Sequence, residues 1–353
     1  MIKVLGLALY GPLAASHRYR LSQYVIGLEK VGIQLEIYSL LGDEYLKWRF
    51  SGGKIPISNL LLSGLNRFIE LSQIYKYDLA ILQCELFPFA PGFLEKAFIR
   101  KPYIYDFDDA FYLKYRTGRY ASAKKLLGNK FDRVISGSTS ITAGNHQLVE
   151  YASKLNIDTN YLPTVVDTEK YIPNIKSRNS SVFNVGWIGS PSTSIYLNEL
   201  IEPLSKLAME CSVRLIIIGA KAPIIPNIEV VEIKWSEATE VDLINTFDVG
   251  VMPLIDTEWE RGKCAFKLIQ YLACSVPVIA SPVGANKDVV NESCGLFASN
   301  SNEWLEAFRI LRDNQNLRYE MGSAGREIII RNYSLEMNLP IFSEIIKKVS
   351  YKK

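Results

Sequence analysis

Residues that build metal and disulfide sites are scarce in this sequence. It contains only two histidines, His17 and His146, which are too few for a histidine-based metal centre. The five cysteines are widely scattered and form no CxxC pair, so we expect neither a zinc knuckle nor a disulfide framework. A reducing compartment, the cytoplasm, fits this pattern. The sequence predicts no bound metal and no other cofactor.

Long apolar runs are absent as well. No stretch approaches the roughly 20 residues that span a bilayer, so any membrane contact is expected to be peripheral. Residues 4–15 could imitate the core of a signal peptide, but Gly11 and Pro12 break the run and an arginine-rich helical pattern follows, which predicts a first β-strand instead. The net charge is only +3, which gives no reason to expect a nucleic-acid partner.

The charge is nevertheless unevenly placed, because residues 110–133 carry seven basic side chains against one acid, Asp132. Such a run is typical of a solvated helix face. It is also typical of a surface for an anionic acceptor or for the inner face of a membrane, since tyrosines and leucines alternate with the charges. Both interpretations stay open at this point. The basic residues are Lys114, Arg116, Arg119, Lys124, Lys125, Lys130 and Arg133.

The length and the pattern of the chain predict two α/β domains. At 353 residues the chain exceeds one ordinary core, and strand-like runs alternate with helical patterns in both halves, as in parallel βαβ units. In the first half the predicted strands are 3–9, 33–38, 79–83, 102–106, 133–136 and 159–162, with a first helix over 19–31. In the second half they are 183–188, 213–218, 229–233, 248–252, 277–281 and 295–297, with helices opening near Ser194, Glu240, Lys263 and Asn286.

The predicted fold is therefore α/β, with two Rossmann-like parallel-sheet domains that face each other across a cleft. The N-terminal domain covers 1–165, and a polar linker with prolines nearby covers 166–182. The C-terminal domain covers 183–335. A last helix over 336–353 is expected to return toward the N-terminal domain.

Ligands of open parallel sheets bind beyond the carboxyl ends of the strands, and two segments of the second half are expected there. Residues 186–194 form a strand that ends in a small polar loop, where the amides of Gly189 and Ser190 suit a phosphate, although a plain turn fits as well. The other segment follows the strand 248–252. If a helix starts near Lys263, then Lys263, Lys267 and Gln270 share one face, which suits a diphosphate or, less specifically, a solvated surface.

Two segments of the first half are further candidates. Asp106, Asp108 and Asp109 end a strand, and three carboxylates in four residues need donors, cations or a metal. Sugar hydroxyls are suitable donors, whereas capping of a helix by one aspartate is the simpler interpretation. The exit of the first strand places Gly11 before a group of basic residues that could meet an anionic acceptor or a leaving phosphate, or could begin a solvated helix. These are His17, Arg18 and Arg20.

In their order and spacing these motifs resemble glycosyltransferase family 4, also called the group 1 glycosyltransferases, of the GT-B fold. The likeness is strongest over 183–335. Its parts are Gly-Trp-Ile-Gly-Ser at 186–190, Leu-Ile-Ile-Ile-Gly at 215–219, Asp-Val-Gly-Val-Met-Pro-Leu at 248–254, Lys-Leu-Ile-Gln-Tyr-Leu-Ala at 267–273 and Pro-Val-Ile-Ala-Ser-Pro-Val-Gly at 277–284. Pro-Thr-Val-Val-Asp at 163–167 is similar to the family's interdomain segment.

The resemblance implies a retaining transfer of a sugar from a nucleoside-diphosphate sugar, UDP or GDP linked, to a hydroxyl acceptor. A glycan or lipid-linked saccharide of bacterial surface polysaccharide synthesis, such as lipopolysaccharide or capsule, is the implied acceptor. The implied donor site in the C-terminal domain contains Gly189, Ser190, Arg261, Lys263, Lys267 and Gln270. The implied catalytic residues are Asp106, Asp108, Asp109, Lys263 and Lys267, and the N-terminal domain would bind the acceptor through Gly11, His17, Arg18 and Arg20.

One departure from the family is visible in the sequence. The family commonly carries two glutamates eight positions apart, near the donor sugar and the ribose, and this chain has Gly262 and Gln270 there. Two alternatives therefore stay open. The first is a metal-dependent GT-A glycosyltransferase that uses Asp106 and Asp108 as an Asp-x-Asp pair. The second is a non-catalytic protein that only binds a sugar nucleotide.

Overall fold

The structure, a computed structural model, describes residues 1–53, 55–174 and 182–351. The chain divides into two compact units. The first comprises Met1–Val165, Gly262–Cys264 and Leu335–Lys353, and the second comprises Val166–Arg261 and Ala265–Ser334. Residues 175–181 of the predicted linker lie outside the described residues, and the predicted domain boundaries stay predictions.

The first unit is built on a six-stranded parallel sheet of order β2-β1-β3-β4-β5-β6. Its strands are β1 Ile2–Tyr10, β2 Ile33–Leu41, β3 Leu79–Gln83, β4 Tyr103–Phe107, β5 Ser140–Ala143 and β6 Thr159–Tyr161. Strands β3, β4 and β5 are buried along their whole length, as expected of a parallel sheet covered on both faces. The helices are α1 Ala15–Arg20, α2 Val25–Lys30, α3 Asp43–Phe50, α4 Ile57–Ser72, α5 Gly92–Phe98, α6 Lys124–Leu127, α7 Lys130–Gly137 and α8 His146–Ser153.

The second unit repeats this architecture with strand order β12-β11-β10-β7-β8-β9, again all parallel. Its strands are β7 Phe183–Ile188, β8 Val213–Ile218, β9 Glu229–Ile233, β10 Val249–Met252, β11 Val278–Ala280 and β12 Gly295–Phe297. The helices are α9 Ile201–Leu207, α10 Glu240–Ile244, α11 Glu258–Arg261, α12 Phe266–Ala273, α13 Asn286–Val289, α14 Ser301–Asp313 and α15 Gln315–Asn332. The prediction of two Rossmann-like parallel-sheet units is confirmed.

The last helix, α16 Leu335–Tyr351, belongs to the first unit although it follows the second in the chain. Phe342 packs edge-to-face on Tyr24, with ring centroids 5.0 Å apart. Lys348 forms an ion pair of 3.0 Å with Asp158. The expected return of the C-terminal helix to the first half of the chain is confirmed. No helix in the described ranges is both long and apolar enough to cross a bilayer.

Two elements differ from the sequence predictions in the first unit. Residues 133–136 lie in α7 and not in a strand, and the fifth strand is Ser140–Ala143. Phe131, Val134 and Ile135 are buried on one face of α7, and a short apolar run of this kind fits a helix and a strand equally well. The helix predicted over 19–31 is interrupted, because a 3-10 turn at Ser22–Tyr24 separates α1 from α2.

Candidate functional site

Two glycines, Gly189 and Gly219, follow the neighbouring strands β7 and β8 of the second sheet, at the edge where open parallel sheets bind ligands. A Cβ atom on Gly189 would lie 2.5 Å from Cη2 of Trp187 and 2.8 Å from Cε of Lys267. One on Gly219 would lie 2.5 Å from the carbonyl oxygen of Gly189, and the φ of Gly219 is +89°. Neither Gly189 nor Gly219 has room for a side chain. The backbone at this edge of the sheet therefore carries no side chain at these two positions.

Lys267 stands beside this backbone on α12. Its Nζ lies 5.3 Å from the ring centroid of the buried Trp187, a cation–π arrangement, and its stem touches Gly189 as described above. A half-buried ammonium group is thus held at the ligand edge of the sheet. A cation in this position suits a phosphate, because its charge is only partly screened by water.

The backbone amide of Gly189 does not match its predicted role. It donates to the carbonyl oxygen of Ile218 at 3.0 Å, so it is part of the β7–β8 ladder and not free for a phosphate. The hydroxyl of Ser190 lies 2.8 Å from that of Ser192, on an exposed loop. The sequence shows where the strand ends, but it does not show which amides the neighbouring strand consumes.

Gln270 is buried in a hydrogen-bonded network and not placed at an open edge. Its Nε2 donates to the Tyr171 hydroxyl at 2.8 Å, and that hydroxyl donates to Oε1 of Glu240 at 2.8 Å. Trp235 Nε1 donates to Oε2 of the same carboxylate at 2.8 Å. Because the single proton of Tyr171 goes to Glu240, residue 270 must supply a donor. This explains a glutamine at 270, where the resemblance implies a glutamate, and it gives Gln270 a structural role. The predicted ribose contact stays a prediction.

Lys263 does not start a helix, which corrects the prediction that Lys263, Lys267 and Gln270 share one helix face. Helix α12 begins at Phe266, because Ala265 has a left-handed backbone with φ of +53°. Residues Gly262–Cys264 instead pack into the first unit. There, Asn145 Nδ2 donates to the Lys263 carbonyl oxygen at 3.0 Å.

The glycine at 262 also has a steric cause. A Cβ atom on Gly262 would lie 2.5 Å from Cβ and 2.9 Å from the backbone nitrogen of Ala110. A glutamate at this position is therefore incompatible with the packing of the Gly262–Cys264 segment. Packing against the residues that follow β4 thus accounts for the glycine at 262, where the resemblance implies a glutamate.

The three aspartates at the end of β4 have separate environments. Asp106 is fully buried, accepts from Thr142 Oγ1 at 2.7 Å and pairs with Arg20, whose Nε lies 3.2 Å from its Oδ2. This ion pair neutralises two buried charges, which explains why both residues lie in the interior. Both side chains are therefore buried and paired with each other. This differs from the predictions that Asp106 faces a sugar or a metal and that Arg20 faces an acceptor.

Asp108 and Asp109 lie nearer the surface, together with Lys263. Burial raises the pKa of Asp108 to about 7, with the neighbouring Asp106 and Asp109 adding to the rise and Arg20 opposing it. The Cys264 thiol donates to the backbone oxygen of Asp108 at 3.1 Å. Lys263 Nζ lies 3.5 Å from Oδ2 of Asp109. The structure thus brings three predicted residues together: the carboxyl group of Asp108 with its raised pKa, the carboxyl group of Asp109 and the ammonium group of Lys263.

The candidate acceptor residues lie at the exit of β1. The loop closes on Asp43, whose Oδ1 accepts from the Leu13 amide at 2.8 Å and whose backbone nitrogen would lie 2.9 Å from a Cβ on Gly11. His17 is buried, with Nδ1 2.9 Å from the Ser22 hydroxyl. Burial lowers its pKa, with Asp43 partly opposing, so the imidazole is neutral at pH 7. Arg18 donates to the Pro12 carbonyl oxygen at 2.6 Å.

Arg261, the last predicted donor contact, is exposed on α11. It forms a two-point ion pair with Asp256, with Nε–Oδ1 of 2.6 Å and Nη2–Oδ2 of 3.1 Å. Such a surface pair contributes little to stability.

Three of the seven basic residues of the run 110–133 are paired with acids of the first unit. Lys114 and the fully buried Lys130 both pair with Glu85, and Lys130 also lies 2.8 Å from Glu95. Arg116 pairs with Asp132 at 2.5 Å. The side chain of Arg119 lies outside the described residues. Two of these acids, Glu85 and Glu95, precede the run by 15 residues or more, so the run alone overstates its free charge.

Within the part of the chain that the structure describes, no group of three or more His, Cys, Asp or Glu side chains is arranged to hold a metal ion. The Asp-x-Asp pair of the GT-A alternative is divided, because Arg20 and Thr142 already contact both carboxylate oxygens of Asp106. The two parallel sheets do not support that alternative either, because a GT-A enzyme does not need a second α/β unit.

A family model described as "Glycosyl transferases group 1" matches residues 182–314. No curated protein sequence shows a significant match to the chain. Among solved structures, sucrose-phosphate synthase from Thermosynechococcus elongatus is similar with a TM-score of 0.75 and 13% identity, covering 99% of each chain. Anabaena HepE in complex with UDP and glucose has a TM-score of 0.71 and 13% identity, covering 98% of this chain and 100% of that one.

A third similar structure is WaaG, a glycosyltransferase involved in lipopolysaccharide biosynthesis, with a TM-score of 0.64 and 14% identity over 98% of this chain and 99% of that one. At these identities the structures establish the GT-B fold. The family model adds evidence for the activity, because it matches a glycosyl transferase domain to most of the second unit. The chain is therefore a glycosyltransferase enzyme.

Proposed function

We propose that the protein transfers a sugar from a nucleoside-diphosphate sugar to a hydroxyl group of a glycan or lipid-linked saccharide, with retention of the anomeric configuration. The observation that carries the proposal is the Lys267 ammonium, held over Trp187 beside the bare backbone of Gly189 at the ligand edge of the second sheet. A diphosphate that leaves with two negative charges needs a fixed cation in such a place.

In this proposal the donor diphosphate lies against the loop after β7. Lys267 stabilises the charge that develops on the leaving phosphate, and the Ser190 hydroxyl is a second donor on the same loop. The nucleotide is UDP or GDP. HepE was crystallised with UDP and with UDP-glucose, which favours a UDP sugar as the first donor to test.

Asp108, Asp109 and Lys263 are the proposed catalytic group of the first unit. Asp109 and Asp108 would accept hydrogen bonds from hydroxyls of the transferred sugar or of the acceptor, and Lys263 would contribute positive charge. With a pKa of about 7, Asp108 is partly protonated at neutral pH, so it can either donate or accept there. Gly11, His17 and Arg18 would line the acceptor site, where the neutral imidazole can bind a hydroxyl.

The proposed mechanism requires no enzymic nucleophile and no metal. The bond from the anomeric carbon to the diphosphate oxygen breaks, the acceptor oxygen bonds to the same face of that carbon, and the departing phosphate takes the acceptor's proton. The nucleoside diphosphate is thus both the leaving group and the proton acceptor. The proposed location is the cytoplasm, where nucleotide sugars would be supplied, and the similarity to WaaG favours a lipid-linked surface polysaccharide as the acceptor.

The test is turnover of isotopically labelled UDP and GDP sugars by the purified chain, with and without a chelator. Release of the nucleoside diphosphate coupled to a glycosylated product supports transfer, and NMR of the new linkage reports retention. Saturable nucleotide binding without turnover would instead identify a pure binding protein. Activity that a chelator abolishes and Mn²⁺ or Mg²⁺ restores would contradict the metal-free mechanism.

A further inference from the structure

The loop that follows β3 holds an aromatic side chain in solvent. Phe89 is 53% exposed, and its backbone is left-handed with φ of +63°. Cys84, the first residue after the strand, is left-handed as well, with φ of +64°. Residues other than glycine keep such a conformation only where the surrounding structure imposes it, and they cluster at ligand sites. The loop 84–91 is therefore a candidate for a binding role.

Buried side chains hold this loop at three backbone atoms. Lys130 Nζ donates to the Phe87 carbonyl oxygen at 2.6 Å, and the Phe87 amide donates to Oε1 of Glu95 at 3.2 Å. The Phe89 amide donates to the Tyr115 hydroxyl oxygen at 2.9 Å. Lys130, Glu95 and Tyr115 are each fully buried. The backbone that carries the Phe89 ring is thus fixed before any ligand binds, which lowers the entropy that binding costs.

Two tyrosine rings pack against Phe89. Its ring centroid lies 5.6 Å from that of Tyr115 and 5.2 Å from that of Tyr120, both in edge-to-face geometry. Tyr115 is buried, whereas Tyr120 is half-buried and lies at the surface with Phe89. We call these three residues the aromatic platform. More than half of Phe89 stays exposed despite these contacts, so the platform has an open apolar side.

The loop 84–91 begins at the ligand edge of the first sheet. Strand β3 is bonded in parallel to β1 on one side and to β4 on the other. The loop therefore leaves the sheet at the same edge as Gly11 after β1 and Asp108 after β4. To these two residues we assign roles in acceptor binding and in transfer. A platform on this loop suits the part of an acceptor that lies beyond the reacting hydroxyl.

The charge at the platform favours a neutral ligand. Lys114 Nζ lies 5.9 Å from the ring centroid of Phe89, so a cation of the protein already occupies the place that a ligand cation would take. The same ammonium group is paired with the fully buried carboxylate of Glu85, which compensates the charge that would attract an anion. Neither a cationic nor an anionic ligand is selected here.

A hydrogen-bond donor adjoins the rings. Desolvation tends to lower the pKa of Arg49 on α3, but the neighbouring tyrosines outweigh it and raise that pKa; these are Tyr10, Tyr45 and Tyr120. The Arg49 guanidinium is therefore a neighbour of the platform, and its N–H groups are suitable donors for hydroxyl oxygens. Sites that combine aromatic rings with a few such donors are typical of ligands that have apolar faces and polar edges.

We propose that the aromatic platform binds a neutral pyranose ring of the acceptor saccharide, which stacks one of its faces on Phe89. The axial C–H groups of a pyranose form an apolar face with a slight positive charge, and the face of an aromatic ring is negative. Arg49 donates to the hydroxyls at the edge of the sugar. A rigid sugar ring suits a rigid platform, because neither partner loses much conformational freedom on binding.

The inference deepens the proposed function and rests on it for the role of the bound sugar as acceptor. The binding itself is measured without turnover.

The experiment is saturation-transfer NMR of the full-length protein with three methyl glycosides and without donor. The probes are the methyl β-pyranosides of glucose, galactose and N-acetylglucosamine, and glycerol is the control that carries hydroxyls without a ring face. Irradiation of the aromatic protons should saturate the axial ring protons of at least one glycoside and leave glycerol unaffected. Absence of saturation for all three glycosides overturns the proposal.

The variant Phe89→Gly removes the ring and supplies the residue that a left-handed backbone favours. We expect the dissociation constant of the glycoside to rise by about tenfold. The melting temperature should equal or exceed that of the wild type, because the backbone strain is relieved. Phe89→Trp keeps an aromatic ring and should keep most of the binding. The matched control is Tyr75→Ala, which removes a 69% exposed ring from the turn before β3 and should change neither quantity.

Equal binding by the wild type and Phe89→Gly overturns the proposal, because the sugar then lies elsewhere. A melting temperature of Phe89→Gly far below that of the wild type does so as well, because the ring would then be a structural contact of the loop. Binding by Phe89→Trp that is as weak as that of Phe89→Gly contradicts stacking.

Sugar binding at Phe89 by a protein that turns over no nucleotide sugar refutes only the proposed reaction. Transfer to a saccharide whose KM is unchanged in Phe89→Gly refutes only the role of the platform.

Discussion

The substitution Gln270→Glu tests the network that we assign to Gln270. In the wild type, the side-chain amide donates to Tyr171, whose own proton goes to Glu240. A glutamate at 270 has the same shape but, when ionised, brings an acceptor against the lone pair of the Tyr171 hydroxyl. The buried carboxylate then has no donor in that direction.

The expected cost in unfolding free energy near pH 8 is about 1–3 kcal/mol, the range for a buried polar group that loses its partner. Since one pKa unit corresponds to about 1.4 kcal/mol, the folded-state pKa of the new carboxyl should rise by about one or two units above its unfolded value of about 4.3. The protonated carboxyl can donate as the amide does. The penalty relative to the wild type is therefore small below about pH 4, grows as the pH rises through about 5 to 6, and is complete near pH 8.

The assay is urea-induced unfolding of the wild type and the variant, followed by tryptophan fluorescence at several pH values between 4 and 8. The matched control is Gln270→Met, which removes the donor without adding a titratable group and should give a difference that does not vary with pH. Combination with Tyr171→Phe completes a double-mutant cycle, in which the two substitutions should be non-additive. A pH-independent loss in Gln270→Glu, or no loss at all, would refute the assigned donor and acceptor roles.

Three further substitutions test the remaining assignments. Lys267→Met should lower turnover by about 100- to 1000-fold with little change in thermal stability, while Lys206→Met, on an exposed face of the same unit, should match the wild type; equal turnover in both variants would remove Lys267 from the donor site. Asp108→Asn should stabilise the protein near pH 8 by about 1 kcal/mol or more and lose this advantage below about pH 4, because the raised pKa means that ionised Asp108 destabilises the folded state at high pH. Calorimetry at both pH values measures the difference in stability between variant and wild type, and the opposite trend with pH would contradict the prediction. Gly262→Ala should cost about 1–3 kcal/mol, because its methyl group would clash with Ala110, and an unchanged melting temperature would show that the 262–264 segment can move aside.

Much of the fold can be predicted from the sequence. The strands 183–188, 213–218 and 229–233 coincide with β7, β8 and β9, because each is a short apolar or β-branched run bounded by turn residues. The failure at 133–136 has a physical cause: Val134 and Ile135 satisfy a strand pattern, but Phe131 completes a buried helix face.

Parts of the candidate site were also accessible from the sequence. The small loop after β7, the cation on α12 and the cluster Asp108 with Asp109 were all found from their places after predicted strands. The start of α12 was not, because the left-handed conformation of Ala265 carries no signal in its residue type.

The sequence by itself determined the order of strands and helices, the repetition of one architecture and the residue types available for a diphosphate. Only the tertiary structure decided which charges are consumed. Arg20 meets Asp106 across 86 residues of chain, and Lys130 meets Glu85 across 45. The physical reason is that local patterns fix backbone hydrogen bonds and apolar faces, whereas the partner of a buried charge is set by distant segments that the fold brings within a few ångströms.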